Sequence, residues 1–277
     1  MLQTVAFQQA RNDDFIALYT DAENGLSDTW AKALGVQLDR LIIHRYAADG
    51  ERHMEALLES GMEICKQAQC DMWIIDSISA LLPKAELNKL EKDNMLPLQR
   101  KLGQFFRKAN VVLPRTTAVV LVGQVYTVPT ASVALEEVRG GNSVKHWAHI
   151  RLKMRRLGKS EMPAQPQEVI SPDGRTLKVA PGWMARVVLE KTRMNEREGQ
   201  EIILPFFYGR GFSSKHAILA AALGLGLIER HGAYYTYGDK KFKGKEGLIK
   251  FFSENPKELD KLAGILEELN KEVKDED

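Results

Sequence analysis

The 277-residue chain sets 39 Lys and Arg against 37 Asp and Glu, a formal charge of +2, so any nucleic-acid surface on it must be local rather than global. Hydrophobic residues make up 44% and charged residues 27%, the balance of a folded globular protein long enough for one large domain or a core plus a small one. The longest apolar runs, Ala118–Gly123 and Ile218–Ile228, are too short to span a bilayer. The start, Met1-Leu-Gln-Thr-Val-Ala-Phe, lacks a basic flank and a small-residue cleavage site, so a secretory leader is not expected from it. Cys65 and Cys70 have neither redox nor zinc spacing. Together these features point to a cytoplasmic protein with reduced thiols and no membrane partner.

Residues 1–11 read as a helix without a cap, and Phe15–Thr20 as a buried strand running into the acidic turn Asp21-Ala-Glu23. A helix through Trp30–Leu34 closes on Gly35, Leu41–Arg45 is a short strand and Met54–Gln67 an amphipathic helix. Met72-Trp-Ile-Ile-Asp76 is an apolar strand ending in a carboxylate; residues 96–109 are helical, and Ala118–Gln124 is another buried strand. Strands alternating with helices predict a parallel α/β sheet. Then the pattern changes. Trp147–Arg156 alternates, with Ile150, Leu152 and Met154 on one face and Arg151, Lys153 and Arg155 on the other, the period of a half-buried strand. Met184–Lys191 and Glu201–Phe207 are two further strands, so the sheet is expected to end in an antiparallel segment. Residues 160–182, with four prolines, read as a surface loop. From Gly211 onward, helix, hairpin and helix patterns predict a small separate α+β domain ending in a short acidic tail. The expected division is a core over 1–209 and a C-terminal domain over 210–277.

Three constellations carry chemistry. An apolar strand ending in Asp76-Ser77 is a Walker B arrangement, in which a carboxylate meets a water of the Mg²⁺ that bridges nucleotide phosphates. Many buried strands also end in Asp because the next turn favours it. In Asp21-Ala-Glu23, a glutamate at the end of a neighbouring strand can orient an attacking water; the same residues also suit an acidic helix start. The third is Gly123-Gln124, then residues 125–139 with little apolar patterning, then Gly140-Gly141-Asn142 and the basic run from Lys145 to Arg156. A structureless loop of this length within a compact domain is usually functional or mobile. A double glycine permits close backbone approach or positive φ. A positive segment with an aromatic suits a phosphate backbone, and equally a solvated strand face.

Taken in order, these segments resemble the bacterial RecA recombinase family. The resemblance rests on the stretch from Asp21-Ala-Glu-Asn-Gly-Leu to Val36, on Trp73-Ile-Ile-Asp-Ser through Pro83-Lys-Ala-Glu86, and on Gly140-Gly-Asn-Ser-Val-Lys through Arg156. The C-terminal part adds Gly226–Tyr237 with Glu254-Asn-Pro256. It implies a RecA-like P-loop NTPase core with a mainly parallel twisted sheet. By the same resemblance Glu23 is the catalytic glutamate, Asp76 and Ser77 the Walker B pair, and Trp30 an aromatic against adenine. Gln124 becomes a γ-phosphate sensor that moves the adjacent loop, and Lys191 a lysine reaching the neighbour's ATP. Residues 87–97 and 125–139 correspond to the first and second DNA loops. Arg100 and Arg107, on one helix face, lie near the DNA backbone, with Gly140, Gly141, Asn142 and Lys145 at the second loop. The implied cofactors are ATP and Mg²⁺, the metal held through Asp76 and water with no direct protein ligand. The implied partners are single- and double-stranded DNA, further copies of the chain in a helical filament, and a repressor or mediator protein.

Departures from the family accompany the matches. The Gly-rich loop ending in Gly-Lys-Thr is absent, Met1-Leu-Gln-Thr aligning with the helix that should emerge from it. Because Glu23, Asp76 and Gln124 persist, the expectation is a partial sequence of a longer protein. Leu189 stands for a second interface lysine with Arg193 nearby, Ser27 for an aspartate near adenine, and Gly123 for an asparagine. The sequence therefore reads as a DNA-dependent ATPase that forms filaments on single-stranded DNA and drives strand exchange. The alternative is a non-catalytic DNA-binding accessory without a working nucleotide site. A helicase of the same fold fits the Gly-Gly-Asn loop and the C-terminal domain less well.

Overall fold

In a computed structural model, residues 1–47, 51–87, 95–128, 135–158, 167–170, 176–179, 182–194 and 198–275 are described. The chain forms two compact units, Met1–Arg151 and Leu152–Asp277.

The first unit is built on four parallel strands, β1 (Ala17–Asp21), β2 (Leu41–His44), β3 (Met72–Asp76) and β4 (Ala118–Val122), in the order β2-β1-β3-β4. Every residue of β1 is buried, as expected of a strand covered on both faces. Successive residues point to opposite sides. Leu18, Trp73 and Ile75 join a cluster with α3 (Met54–Gln67) and α4 (Met95–Val112). Ala17, Tyr19, Met72 and Ile74 join a second cluster with α1 (Leu2–Gln9), α2 (Asp28–Ala33) and Leu41. The result is a helix–sheet–helix sandwich. Its tightest point is Gly61 on α3, where a Cβ would lie 2.5 Å from Trp73 Cζ2. Trp73 is held from another side by Phe105 of α4, edge-on at 5.5 Å. A chain of hydrogen bonds crosses this interior. Trp73 Nε1 donates to Thr20 Oγ1 at 2.8 Å, Thr20 Oγ1 meets His44 Nδ1 at 3.1 Å, and His44 Nε2 meets Ser60 Oγ at 3.0 Å. Ser60 in turn donates to Ala56 O at 2.8 Å, which closes the chain with every group partnered.

After β4 comes the antiparallel hairpin of β5 (Val125–Val128) and β6 (Leu135–Val138), then α5 (Gly141–Trp147). Segment 125–139, expected to lack regular structure, thus has paired ends. Its core 129–134 lies outside the described residues, as does most of the first expected DNA loop.

Strand β7 (Ile150–Arg156) spans the boundary between the units, and the second unit carries β8 (Gln167–Ile170), β9 (Thr176–Val179), β10 (Gly182–Thr192), β11 (Glu201–Phe207) and β12 (Gly211–Phe212). The order is β12-β11-β10-β7. These strands, expected at one end of the parallel sheet, form a sheet of their own. Strands β8 and β9 pair as a hairpin where a loop was expected. The alternation of β7 is present with its faces exchanged. Ile150, Leu152 and Met154 are 49%, 57% and 49% exposed, whereas Arg151 and Lys153 are half-buried. The ion pair of Lys153 with Glu190 of β10, at 3.5 Å, ties that polar face down. Next come α6 (Ser214–Gly224), the three-stranded meander β13 (Glu229–His231), β14 (Tyr234–Tyr237) and β15 (Lys240–Lys243), then α7 (Gly244–Glu254) and α8 (Pro256–Asp275). They close over a core of Leu219, Ile228, Leu248, Phe252 and Leu262. No helix among the described residues is long and apolar enough to cross a membrane.

Candidate functional site

Register brings the acidic residues together. In the parallel pairing of β1 with β3, Asp21 stands beside Asp76, and Ala22 N–H donates to Asp76 O at 2.8 Å. The two strands therefore end together at the carboxyl edge of the sheet, where open α/β sheets place ligands. Asp21 is 2% exposed and fully engaged. Its carboxylate accepts from Gly25 N at 2.9 Å, Leu26 N at 3.1 Å and Arg45 Nε at 2.9 Å. Those bonds fix the turn that holds Glu23, which is exposed. Ser77 Oγ, buried just past β3, donates to Glu23 Oε1. Glu23, Asp76 and Ser77 thus form one group.

A fourth member escaped the sequence reading. The Tyr19 hydroxyl donates to Asp76 Oδ2. Burial first, and this hydrogen bond second, push the Tyr19 phenol far above its usual range, so it stays a donor. One oxygen of Asp76 is thereby occupied by a neutral donor.

Gln124 follows β4 by two residues, and Val122 pairs with Asp76, so Gln124 lies just beyond the same edge. Its side chain is exposed, and its backbone N–H donates to Ser79 Oγ at 2.9 Å. Arg139 Nη1, at the end of the hairpin, donates to Ser79 O at 3.0 Å. Ser79 thereby links the segment after β3 to both ends of the 124–139 excursion. At Gly123 a Cβ would lie 2.8 Å from Val138 Cγ2, so the small residue lets the hairpin return close to β4.

The expected DNA residues divide. Arg100 and Arg107 are exposed on α4, seven residues and so about two turns apart, on one face. Gly140 and Gly141 are buried, with φ of 99° and 56°. A Cβ on Gly140 would lie 2.7 Å from Leu102 Cδ1, and one on Gly141 2.3 Å from Gln99 Nε2. Their packing against α4, at left-handed φ, accounts for both glycines without a ligand. Asn142 is exposed, and Lys145 pairs with Glu137 of β6. Trp147 stacks on Phe106 with centroids 4.4 Å apart, an interior contact. Trp30 is half-buried on α2, outside both core clusters. Ser27 caps that helix, accepting from Trp30 N at 3.3 Å. Lys191 is half-buried on β10 in the second unit, with Leu189 on the same strand and Arg193 just past it. Among the described residues no His, Cys, Asp or Glu cluster could hold a metal directly.

Against this geometry, the RecA N-terminal domain family matches residues 1–185 and the RecA C-terminal domain family residues 216–275. Over 97% of its length the chain is 29% identical to Protein RecA of Streptococcus mutans, covering 69% of that protein. Over 90% it is 30% identical to Protein RecA of Deinococcus radiodurans, covering 64%. It thus spans about two-thirds of these relatives. Among solved structures, the RadB recombinase superposes with a TM-score of 0.48 at 18% identity, over 76% of this chain and 81% of that one. With a family match over the parallel-sheet unit and beyond, and a second over the C-terminal helices and meander, the chain belongs to the RecA family.

Proposed function

We propose that this chain is the core and C-terminal domain of a RecA-type recombinase. In this reading it binds single-stranded DNA in an ATP-dependent filament of its own copies, pairs it with double-stranded DNA, and acts in recombination and repair in the cytoplasm. The observation that carries the reading is the convergence of Glu23, Asp76 and Ser77 at one sheet edge, with Gln124 next to it. The carboxylate and hydroxyl oxygens are hard donors suited to Mg²⁺ held through water. When bound, MgATP supplies the phosphoryl group to be transferred. Glu23 then serves as the base that orients the attacking water, with Ser77 fixing its carboxylate and Tyr19 fixing that of Asp76. Gln124 reports on the phosphates and hands the signal to the 125–139 segment through Ser79 and Arg139. Arg100, Arg107, Asn142 and Lys145 meet DNA phosphates, with Gly140 and Gly141 shaping the backbone there. Trp30 packs on the base, and Lys191 reaches a neighbouring copy's nucleotide. The division into 1–209 and 210–277 belongs to this proposal, as do a repressor or mediator protein as a further partner and DNA-damage signalling.

The test is single-stranded DNA binding by the chain, followed by fluorescence anisotropy with and without MgATP, in wild type and in Glu23→Gln. The reading expects DNA binding in both proteins, and strengthening by MgATP once the Gly-Lys-Thr segment precedes the chain. Absence of DNA binding at low salt would remove it. Binding by the extended protein that stays indifferent to MgATP favours the non-catalytic accessory.

A further inference from the structure

The two cysteines lie far from the acidic edge, at the opposite end of β3. Helix α3 ends at Ala68, and Gln69 takes a left-handed φ of 49°. Cys70 N–H then donates to Cys65 O at 3.0 Å, and Gln69 N–H to Lys66 O at 3.4 Å. These two bonds define a Schellman ending, whose first and sixth residues make a side-chain contact. Here both are cysteines. Each is fully buried in the same core cluster and each is free, so the two positions that meet across this ending both carry thiols. The turn is braced on its far side, where Thr117 Oγ1 donates to Cys70 O at 2.7 Å. An apolar pair such as Leu and Val would close the turn equally well. What two cysteines add is chemistry.

We infer that Cys65 and Cys70 are an oxidative modification site, closing to an intrachain disulfide across the end of α3 when the protein meets a peroxide. The shared contact differentiates the two thiols: the hydrogen bond from Cys70 holds Cys65 below its usual range and pushes Cys70 up. Cys65 is therefore the attacking sulfur. Its thiolate displaces hydroxide from the peroxide O–O bond, giving a sulfenic acid, and the hydroxide takes up the proton that Cys65 released. Cys70 then attacks the Cys65 sulfur. The S–S bond forms, the S–O bond breaks, and the departing hydroxide leaves as water with the Cys70 proton. Two thiols are oxidised, one peroxide is reduced, and two waters form. Because neither sulfur is exposed, the peroxide gains access only when the last turn of α3 opens, so the rate follows that local opening.

The test uses the full chain, treated with hydrogen peroxide, unfolded, alkylated with iodoacetamide and weighed intact. Untreated native protein should resist alkylation and take up two labels once unfolded. Treated protein should take up none, lose the mass of two hydrogens, migrate as a single chain, and yield one peptide joining Cys65 to Cys70. Cys70→Ser, which keeps a small polar group, should stop at a Cys65 sulfenic acid that dimedone traps. Three results would overturn the inference. They are chain-to-chain disulfides, sulfinic acid at either position, and two labels persisting after peroxide exposure sufficient to convert Cys70→Ser to the dimedone adduct.

Discussion

Replacing Thr20 by valine keeps the shape of the side chain and deletes one hydroxyl. That hydroxyl accepts from Trp73 Nε1 at 2.8 Å and meets His44 Nδ1 at 3.1 Å, and Thr20, Trp73 and His44 are all buried. Thr20→Val therefore strands a donor on β3 and an acceptor on β2. A buried polar group left unmade costs about 1–3 kcal/mol, so two of them cost roughly 2–4 kcal/mol once partial relaxation is allowed. The added methyl returns well under that, about 1 kcal/mol. Urea denaturation followed by tryptophan fluorescence measures the difference, and Thr20→Ser is the control that keeps the hydroxyl and loses a methyl. The expected order is wild type, then Thr20→Ser, then Thr20→Val. A Thr20→Val midpoint equal to that of wild type, at unchanged slope, would show that the network does not bind β1, β2 and β3 together.

Other consequences are as direct. Gly61→Ala places a Cβ 2.5 Å from Trp73 Cζ2, which Thr20 and Phe105 hold in place. Overpacking of about 1–3 kcal/mol should outweigh the ~1 kcal/mol gain in helix propensity, so thermal melting should show net destabilisation. Burial holds the His44 imidazole below its usual range. The unfolded chain therefore takes up this proton first, and the His44 share of stability is complete above pH ~6.5 and is lost as pH falls through the lower folded value. A series of denaturation midpoints from neutral to mildly acidic pH should fall for wild type and fall less for His44→Gln; equal slopes would count against it. If Arg100 and Arg107 meet single-stranded phosphates, Arg100→Ala with Arg107→Ala should reduce the log–log salt slope of binding by roughly 1.4. Lys145→Ala should reduce it less, since Glu137 already neutralises that lysine. A double variant with the wild-type slope moves the DNA surface elsewhere.

Strands buried on both faces, Ala17–Asp21 and Met72–Asp76, were legible because their apolar runs are bounded by polar turns. Helix Met54–Gln67 was legible to the residue, because its apolar face repeats without interruption. Three features were not. The hairpin of β8 with β9 is a short pairing whose strands carry as many polar as apolar residues, and proline-rich flanks dominate that stretch of sequence. Periodicity told which residues of β7 share a face, but which face is covered depends on the neighbouring strand and on Glu190. In the site, Asp76 and the Asp21–Glu23 turn stood out at strand ends with a second reading beside each, and the roles of Glu23, Ser77 and Gln124 came from the family resemblance. Tyr19 did not stand out, because its reach to Asp76 depends on the register of β1 against β3, which no local pattern specifies. The double glycine was noticed for its freedom, and it takes its meaning from the side chains of Gln99, Leu102 and Val144 that leave no room for a Cβ.

The most direct test of the central claim is ATP hydrolysis, with and without single-stranded DNA, by this chain beside the same chain preceded by the relatives' Gly-Lys-Thr segment. The account predicts hydrolysis by the extended protein alone, stimulated by DNA and abolished by Glu23→Gln. An extended protein that binds single-stranded DNA and leaves ATP intact would contradict it, and would make the chain a DNA-binding accessory.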